Sequence, residues 1–144
     1  MGDIALTAAK IAVIQGNSYP SVIVPRTAGA TITAGQFVYG IIASGKVGLA
    51  DENASAEASA CIGMALTGGA DGTQIDVLQE GWVEGFTLSA HAYWLACSLS
   101  DTAGAILDTG ASTNIVARIE PMNDAALTKV LHVKCGLGMP TVFA

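Results

Sequence analysis

The sequence predicts an all-β domain, built as a β-sandwich or a small β-barrel. Short apolar runs rich in Val and Ile recur along the chain, separated by Gly, Asp, Asn and Ser, which is how strands joined by turns read. Pairs that favour positive φ fall between consecutive runs at Ser44-Gly45, Asp71-Gly72 and Ala103-Gly104. The alternation of run and turn also occurs twice, over about residues 31–86 and 87–138. Two weakly repeated β-modules are therefore expected, packed face to face or closed into a barrel.

Residues 1–30 precede the repeat, and 31–144 form the β domain that contains it. The first segment includes KIAVI (10–14) and SVIVP (21–25), apolar stretches with few charges. It reads either as an apolar N-terminal arm that adds a strand to a neighbour's sheet edge or as the first strands of the domain itself. FVYGIIA (37–43) and KVGLA (46–50) make a hairpin across Ser44-Gly45. DENASAEASA (51–60) is Ala-rich behind a capping Asp or Asn, which suits one or two helical turns or a surface loop. ACIGMAL (60–66) and TQIDVLQEG (73–81) pair through Asp71-Gly72, and WVEGF (82–86) is a further run. In TQIDVLQ, Ile75 and Val77 share one side while Asp76 and Leu78 share the other, giving an apolar face and a mixed face. The second module runs through AYWLACSL (92–99), AILDT (105–109), NIVARIE (114–120) and KVLHVKCG (129–136), with one helical turn expected over Asn123–Leu127.

Charged residues are 12% of the chain, against roughly 25% in an average soluble protein. Hydrophobic residues reach 51%, so the chain folds rather than remaining disordered. A surface this thin in charge predicts an oligomer or a large partner interface. The net charge of −6, with no run of Lys or Arg, repels phosphates and anionic lipid, so neither nucleic acid nor membrane is an expected partner. The opening residues do not read as a secretion signal, because Asp3 is acidic and Lys10 interrupts the apolar run. Cys61, Cys97 and Cys135 sit in apolar runs without metal-ligand or redox spacing, and read as buried thiols made in a cytoplasm.

AILDTGASTNIV (105–116) contains an Asp-Thr-Gly reminiscent of aspartic proteases. Those enzymes need two carboxylates sharing a proton, and no second Asp-Thr-Gly occurs in the chain. In the repeat, Leu107-Asp108-Thr109 falls opposite Leu49-Ala50-Asp51, a strand end entering a loop, so Asp108 is read as a turn residue. His91 and His132 lie in different modules with no ligand-spaced companions and are read as strand residues. Asp51, Glu52 and Asp71 are read as solvated turn carboxylates. Gly68-Gly69 and Gly136-Leu137-Gly138 lack the context of a phosphate loop, and no Ser sits in a nucleophile elbow. The expectation is a protein that is not an enzyme and uses no cofactor and no metal. Trp82, Trp94, Tyr39 and Tyr93, placed in strand runs, are core or subunit contacts or, alternatively, a sugar-stacking platform.

ITAGQFVYG (32–40), SGKVGLADEN (44–53) and ASACIGMALTGGADGTQIDVLQEGWVEG (58–85) resemble the small capsid decoration, or cement, proteins of tailed phages. WLACSLSDTAGAILDT (94–109), IVARIEPM (115–122) and VLHV (130–133) are similar to the later part of related head proteins. The likeness spans about residues 31–133, with one departure: His91 is set against Gly35, so the second module's turn is expected to differ. The resemblance implies a β-sandwich or β-tulip-like homotrimer on the outer surface of a bacteriophage virion. Such a trimer clamps the major capsid protein against the pressure of packed DNA. The contact residues expected on that basis are Ile4, Leu6, Lys10, Ile11, Tyr19 and Arg26 from the first segment, with Trp82 and Trp94. Another phage head or tail β-module and a carbohydrate-binding β-sandwich are the alternatives.

Overall fold

The longest strand among the described residues, Gln74–Glu84, carries the rest of the sheet on its two edges. The structure, a computed structural model, describes residues 3–16, 19–108 and 115–135, and these are all-β apart from a single 3-10 turn at Ala8–Lys10. In chain order the strands are β1 (Ala12–Val13), β2 (Val22–Thr27), β3 (Phe37–Gly40), β4 (Val47–Leu49), β5 (Cys61–Ala65), β6 (Gln74–Glu84), β7 (Ala96–Leu99), β8 (Ile106–Leu107), β9 (Ile115–Pro121) and β10 (Lys129–Lys134). The sheet order is β4-β3-β5-β6-β10-β9-β7-β8, and β1 and β2 also pair with β6.

That order is one plan used twice. Phe37 pairs with Met64 and Tyr39 with Cys61, with a register irregularity between Val38 and Tyr39. In the second module Ala96 pairs with Arg118 and Ser98 with Ile115, with the same irregularity between Cys97 and Ser98. The hairpins match too: Tyr39↔Gly48 and Gly40↔Val47 correspond to Ser98↔Leu107 and Leu99↔Ile106. The two hairpin turns hold Gly45 at φ 78° and Gly104 at φ 83°, a left-handed conformation that a side chain resists.

The two modules do not use the same face for the shared core. In the first, Phe37, Met64 and Leu78 enter the larger core, while Val38, Ala65 and Val77 fill a smaller one with Ala28, Ile32, Val47 and Ile75. In the second, Cys97, Ile119 and Leu131 enter the larger core. The residues that correspond to Met64 and Leu78 there are Arg118 and His132. A bulge in β6 contributes to this arrangement. Val22 pairs with Glu80 but Ile23 with Leu78, so Gln79 is the extra residue. One extra residue exchanges the faces of everything beyond it, which is why Leu78 and Val83 both point into the larger core. The sequence suggested that a run ends at Gly81, yet the strand passes through it. A Cβ there would lie 2.9 Å from Leu78 Cδ1 and 3.1 Å from Ser21 Cβ, so this glycine provides room rather than a turn.

Flanking segments bridge the outer hairpin strand of each module. Ala28 bridges Val47, and the Gly29 N–H donates to Val47 O at 2.8 Å. In the second module Asp3 bridges Leu107, and the Ile4 N–H donates to Ile106 O at 2.9 Å. Thr7 N–H donates to Gly85 O at 2.9 Å, and β1 continues along β6 through Ala12↔Glu84. Residues 3–14 lie along the domain's own sheet, through the isolated bridges Asp3↔Leu107 and Leu6↔Phe86 and through β1, and cover edges that otherwise invite pairing. The Ala-rich stretch 51–60 forms turns rather than a helix, and the Asp51 carboxylate accepts the Asn53 N–H at 3.1 Å. Asn123–Leu127 is likewise a turn. Asp124 accepts the Thr128 N–H at 3.0 Å and its Oγ1–H at 2.8 Å, bonds that lower its pKa.

Gly63 tests how tightly β5 lies on β6. A Cβ there would meet Leu78 O and Val77 Cγ1, each at 2.6 Å, whereas a Cβ at Gly40 meets nothing within 4 Å. Gly63→Ala is expected to cost about 1–3 kcal/mol by overpacking, and Gly40→Ala to stay within about 0.5 kcal/mol. Urea titration of both variants checks the difference.

Candidate interaction surface on the second module

Met64 and Leu78, the first-module counterparts of Arg118 and His132, are core, so this face of the second module has an unusual make-up. Trp82 of β6, His132 of β10 and Arg118 of β9 stand side by side across three strands. Trp82 and His132 stack with ring centroids 4.0 Å apart and planes 9° apart, and Tyr19 meets the Trp82 ring edge-on at 5.4 Å. Glu120, on the same strand as Arg118, ties the row together. One oxygen accepts the Trp82 indole N–H at 2.9 Å. The other lies 2.9 Å from His132 Nδ1 and 3.5 Å from Arg118 Nε. The Tyr19 hydroxyl accepts the Asn123 N–H at 2.8 Å, which holds the loop before β2 against this face. Trp82 thus has its indole N–H bonded, one face on an imidazole and a perpendicular phenol ring against it. Held by these contacts, it is scaffold. Glu120→Ala should cost about 2 kcal/mol, since a half-buried donor loses its acceptor, and should shift tryptophan emission to the red. Glu120→Gln, which keeps one acceptor, should lose less.

Trp94 is placed quite differently. The sequence put it in a strand, but β7 begins only at Ala96, and Trp94 lies in the preceding turn at φ 65° with 60% of its surface exposed. Its backbone N–H donates to Ile119 O at 2.6 Å, and the Ile119 backbone N–H returns to Leu95 O at 3.0 Å. In the first module the Gly35 N–H donates to Ala65 O at 2.8 Å, and the Ala65 N–H to Gln36 O at 2.8 Å, with Gly35 at φ 94°. Trp94, not His91, therefore takes the place of Gly35, and the second turn keeps the geometry of the first instead of differing from it. The first module covers this turn with its own chain, since a Cβ on Gly35 would lie 2.9 Å from Leu6 Cδ1 and 3.2 Å from Ile11 Cδ1. The second presents an indole to solvent, with the Arg118 guanidinium 6.0 Å from its ring.

Two further side chains of the second module are apolar and exposed. Tyr93 is 41% and Leu127 51% exposed, and the Tyr93 hydroxyl donates to Leu127 O at 2.8 Å. Leu127 also has positive φ, at 51°. Lys129 Nζ sits 4.9 Å from the Tyr93 ring, within cation–π range. With Phe86 and Leu88 these residues line an open cleft of about 410 Å³. A left-handed conformation costs a side-chain-bearing residue about 1–2 kcal/mol, and such strain gathers where it serves a contact.

The remaining expected contacts divide. Ile4 is buried in the larger core and offers no surface, which corrects its place in that set: the neighbouring Asp3 bridges Leu107 of β8. Leu6 and Ile11 come together, half-buried, over Gly35, and Lys10 is exposed. Arg26 is half-buried on β2 opposite Ile75, and its Nε is buried without a hydrogen-bond partner among the described residues. Arg118 and Leu127 did not emerge from the sequence as contacts, whereas Tyr93 did, as a core or subunit contact.

Asp108 lies 3.3 Å, through Oδ2, from His91 Nδ1, both side chains being mostly buried, so the sequence-distant His91 does have a partner. Thr109 and Gly110 of the Asp-Thr-Gly lie outside the described residues. Burial, with a smaller push from Asp108, raises the Cys97 thiol to about 12, so it stays protonated and is no nucleophile at neutral pH. The unfolded thiol titrates near 9.0. Between that pH and about 12 the unfolded chain loses a proton that the folded chain keeps. Stability is therefore full below pH 9 and falls above it, by about 1.4 kcal/mol per pH unit for such a thiol. Cys97→Ala should flatten part of this alkaline slope in denaturant titrations at stepped pH. Among the described residues no group of three or more His, Cys, Asp or Glu is gathered as for a metal ion.

Comparison of the chain with family models, curated proteins and solved structures found no match.

Proposed function

We propose that this chain is a non-enzymatic virion structural protein, a homotrimeric decoration protein that binds the outer surface of a tailed-phage capsid. It would stabilise the head against internal DNA pressure through contacts with the major capsid protein and with its own copies. The observation that carries this reading is the rim at Trp94: a large indole exposed on strained backbone, where the sister module has a glycine covered by its own chain. Exposed apolar surface of this kind marks a protein contact, and tryptophan is enriched at the energetic centre of such contacts. Three copies, each bringing one rim, turn modest contacts into high avidity. The net charge of −6 keeps the outward surface soluble. The motifs that resemble decoration proteins fall on the β3–β4 hairpin and on β5 and β6.

Light scattering of the purified chain, followed by co-sedimentation with expanded, undecorated heads, tests the proposal. A trimer that saturates the heads in multiples of their three-fold positions is the expected result, and a monomer that stays in the supernatant overturns it. The same exposed indole supports a second reading, a carbohydrate-binding β-sandwich in which a sugar stacks on Trp94. That reading predicts a change in tryptophan emission on glycan addition that disappears in Trp94→Phe.

A further inference from the structure

We infer that Cys61 and Cys135 are a redox pair that closes to an intramolecular disulfide when the chain meets a disulfide oxidant such as oxidised glutathione. Cys61 opens β5 in the first module, and Cys135 follows β10 in the second. Their sulfur atoms are 3.3 Å apart although the residues are 74 positions apart in sequence. The bulge in β6 brings them together. On either side of Gln79, β5 pairs at Leu78 and β10 at Glu80, and the Cys135 N–H donates to Gln79 O at 3.3 Å. The two thiols thus face each other across the fork where the modules separate. Cys97 is buried elsewhere, its sulfur 3.8 Å from Leu95 O, and is left as the single thiol.

The exchange balances without any other reagent. One cysteine thiolate attacks a sulfur of the oxidised glutathione and releases one glutathione thiolate. The second cysteine thiolate then displaces the remaining glutathione from the mixed disulfide. Two protein thiols give up two protons and two electrons, and two molecules of reduced glutathione form. Both sulfurs are buried, and the bond to Cys61, together with burial, holds the Cys135 thiol well above its usual pKa. Native oxidation therefore waits on local opening, while the closed geometry favours the product once it forms. A reducing cytoplasm keeps the pair open, and oxidising surroundings close it. The bond would join the two modules across the larger core, where a long closed loop constrains the unfolded chain most. This inference does not depend on the proposed function.

The experiment uses the full chain, unfolded in guanidinium and refolded in a glutathione redox buffer, so that burial of the thiols cannot hide the chemistry. A parallel sample is incubated folded. After quenching in acid, iodoacetamide labelling under denaturing conditions and intact mass count the free thiols, and peptide mapping locates any bond. Expected are the loss of two hydrogens, a single labelled thiol at Cys97, and a Cys61–Cys135 peptide. The oxidised form should melt roughly 5–10 °C higher and lose that gain with dithiothreitol. Three labelled thiols, persistent glutathione adducts, or a bond that includes Cys97 overturn the inference. Because Cys61→Ser or Cys135→Ser can disturb the core, the peptide map of the unsubstituted chain decides. Cys97→Ser serves as the variant expected to keep the bond.

Discussion

Replacing Ile4 by alanine lowers the stability of the chain by about 3 kcal/mol, measured as a shift of the urea midpoint without loss of the folded baseline. The size of the effect follows from where the N-terminal segment lies. Ile4 is 4% exposed and packs in the larger core, and its N–H is bonded to Ile106 O. The neighbouring Asp3 accepts a hydrogen bond from the Ser100 hydroxyl at 2.5 Å. Truncating a core side chain removes its transfer energy and leaves a cavity, and here the backbone on both sides is pinned, so collapse is limited. Lys10→Ala, on the exposed 3-10 turn, should change stability by less than about 0.5 kcal/mol. The pair distinguishes the two forms of the segment in solution. In a free arm, Ile4→Ala would leave the urea midpoint unchanged and weaken only the binding of partners. In a segment that bridges β8, the midpoint falls first.

The strands were legible because apolar alternation and turn glycines are local signals, and Gly45, Gly72 and Gly104 do occupy positive φ. The repeat was legible as well, but only approximately. The connection from β4 to β5 is longer than that from β8 to β9, so no single offset aligns both halves of a module. An offset drifting around 54–57 residues sets His91 against Gly35, while the hydrogen bonds put Trp94 there. A glycine kept for room reads the same in sequence as a glycine kept for a turn, which is why β6 was cut at Gly81. The bulge at Gln79 has no signature of its own, yet it helps decide which face of the second module is outside. The Trp82–His132–Arg118 row was hidden behind that choice. The Cys61–Cys135 pair was hidden by sequence separation, since spacing rules see only thiols close along the chain.

Trp94→Gly separates stability from assembly. Relief of the left-handed conformation is worth about 1–2 kcal/mol, and the added freedom of glycine in the unfolded chain offsets about 0.5–1 kcal/mol of it. The isolated chain should therefore be unchanged or more stable by up to about 1.5 kcal/mol, a direction opposite to that of most substitutions at a large aromatic residue. Binding moves the other way. An indole at the centre of a contact is commonly worth about 2 kcal/mol or more, which is roughly 30-fold in affinity per contact at about 1.4 kcal/mol per decade. If each copy in a trimer loses that contact, the losses compound through the avidity, and co-sedimentation with heads should vanish at concentrations where the unsubstituted chain saturates them. Trp94→Ala completes the argument. It deletes the indole but keeps a Cβ in the left-handed region, so it should lose the heads without gaining stability. A Trp94→Gly chain that decorates heads as well as the parent would mean that the rim is not the contact. The strain at Trp94 would then need another beneficiary, and the sugar-stacking test on the same indole would decide whether that is a glycan.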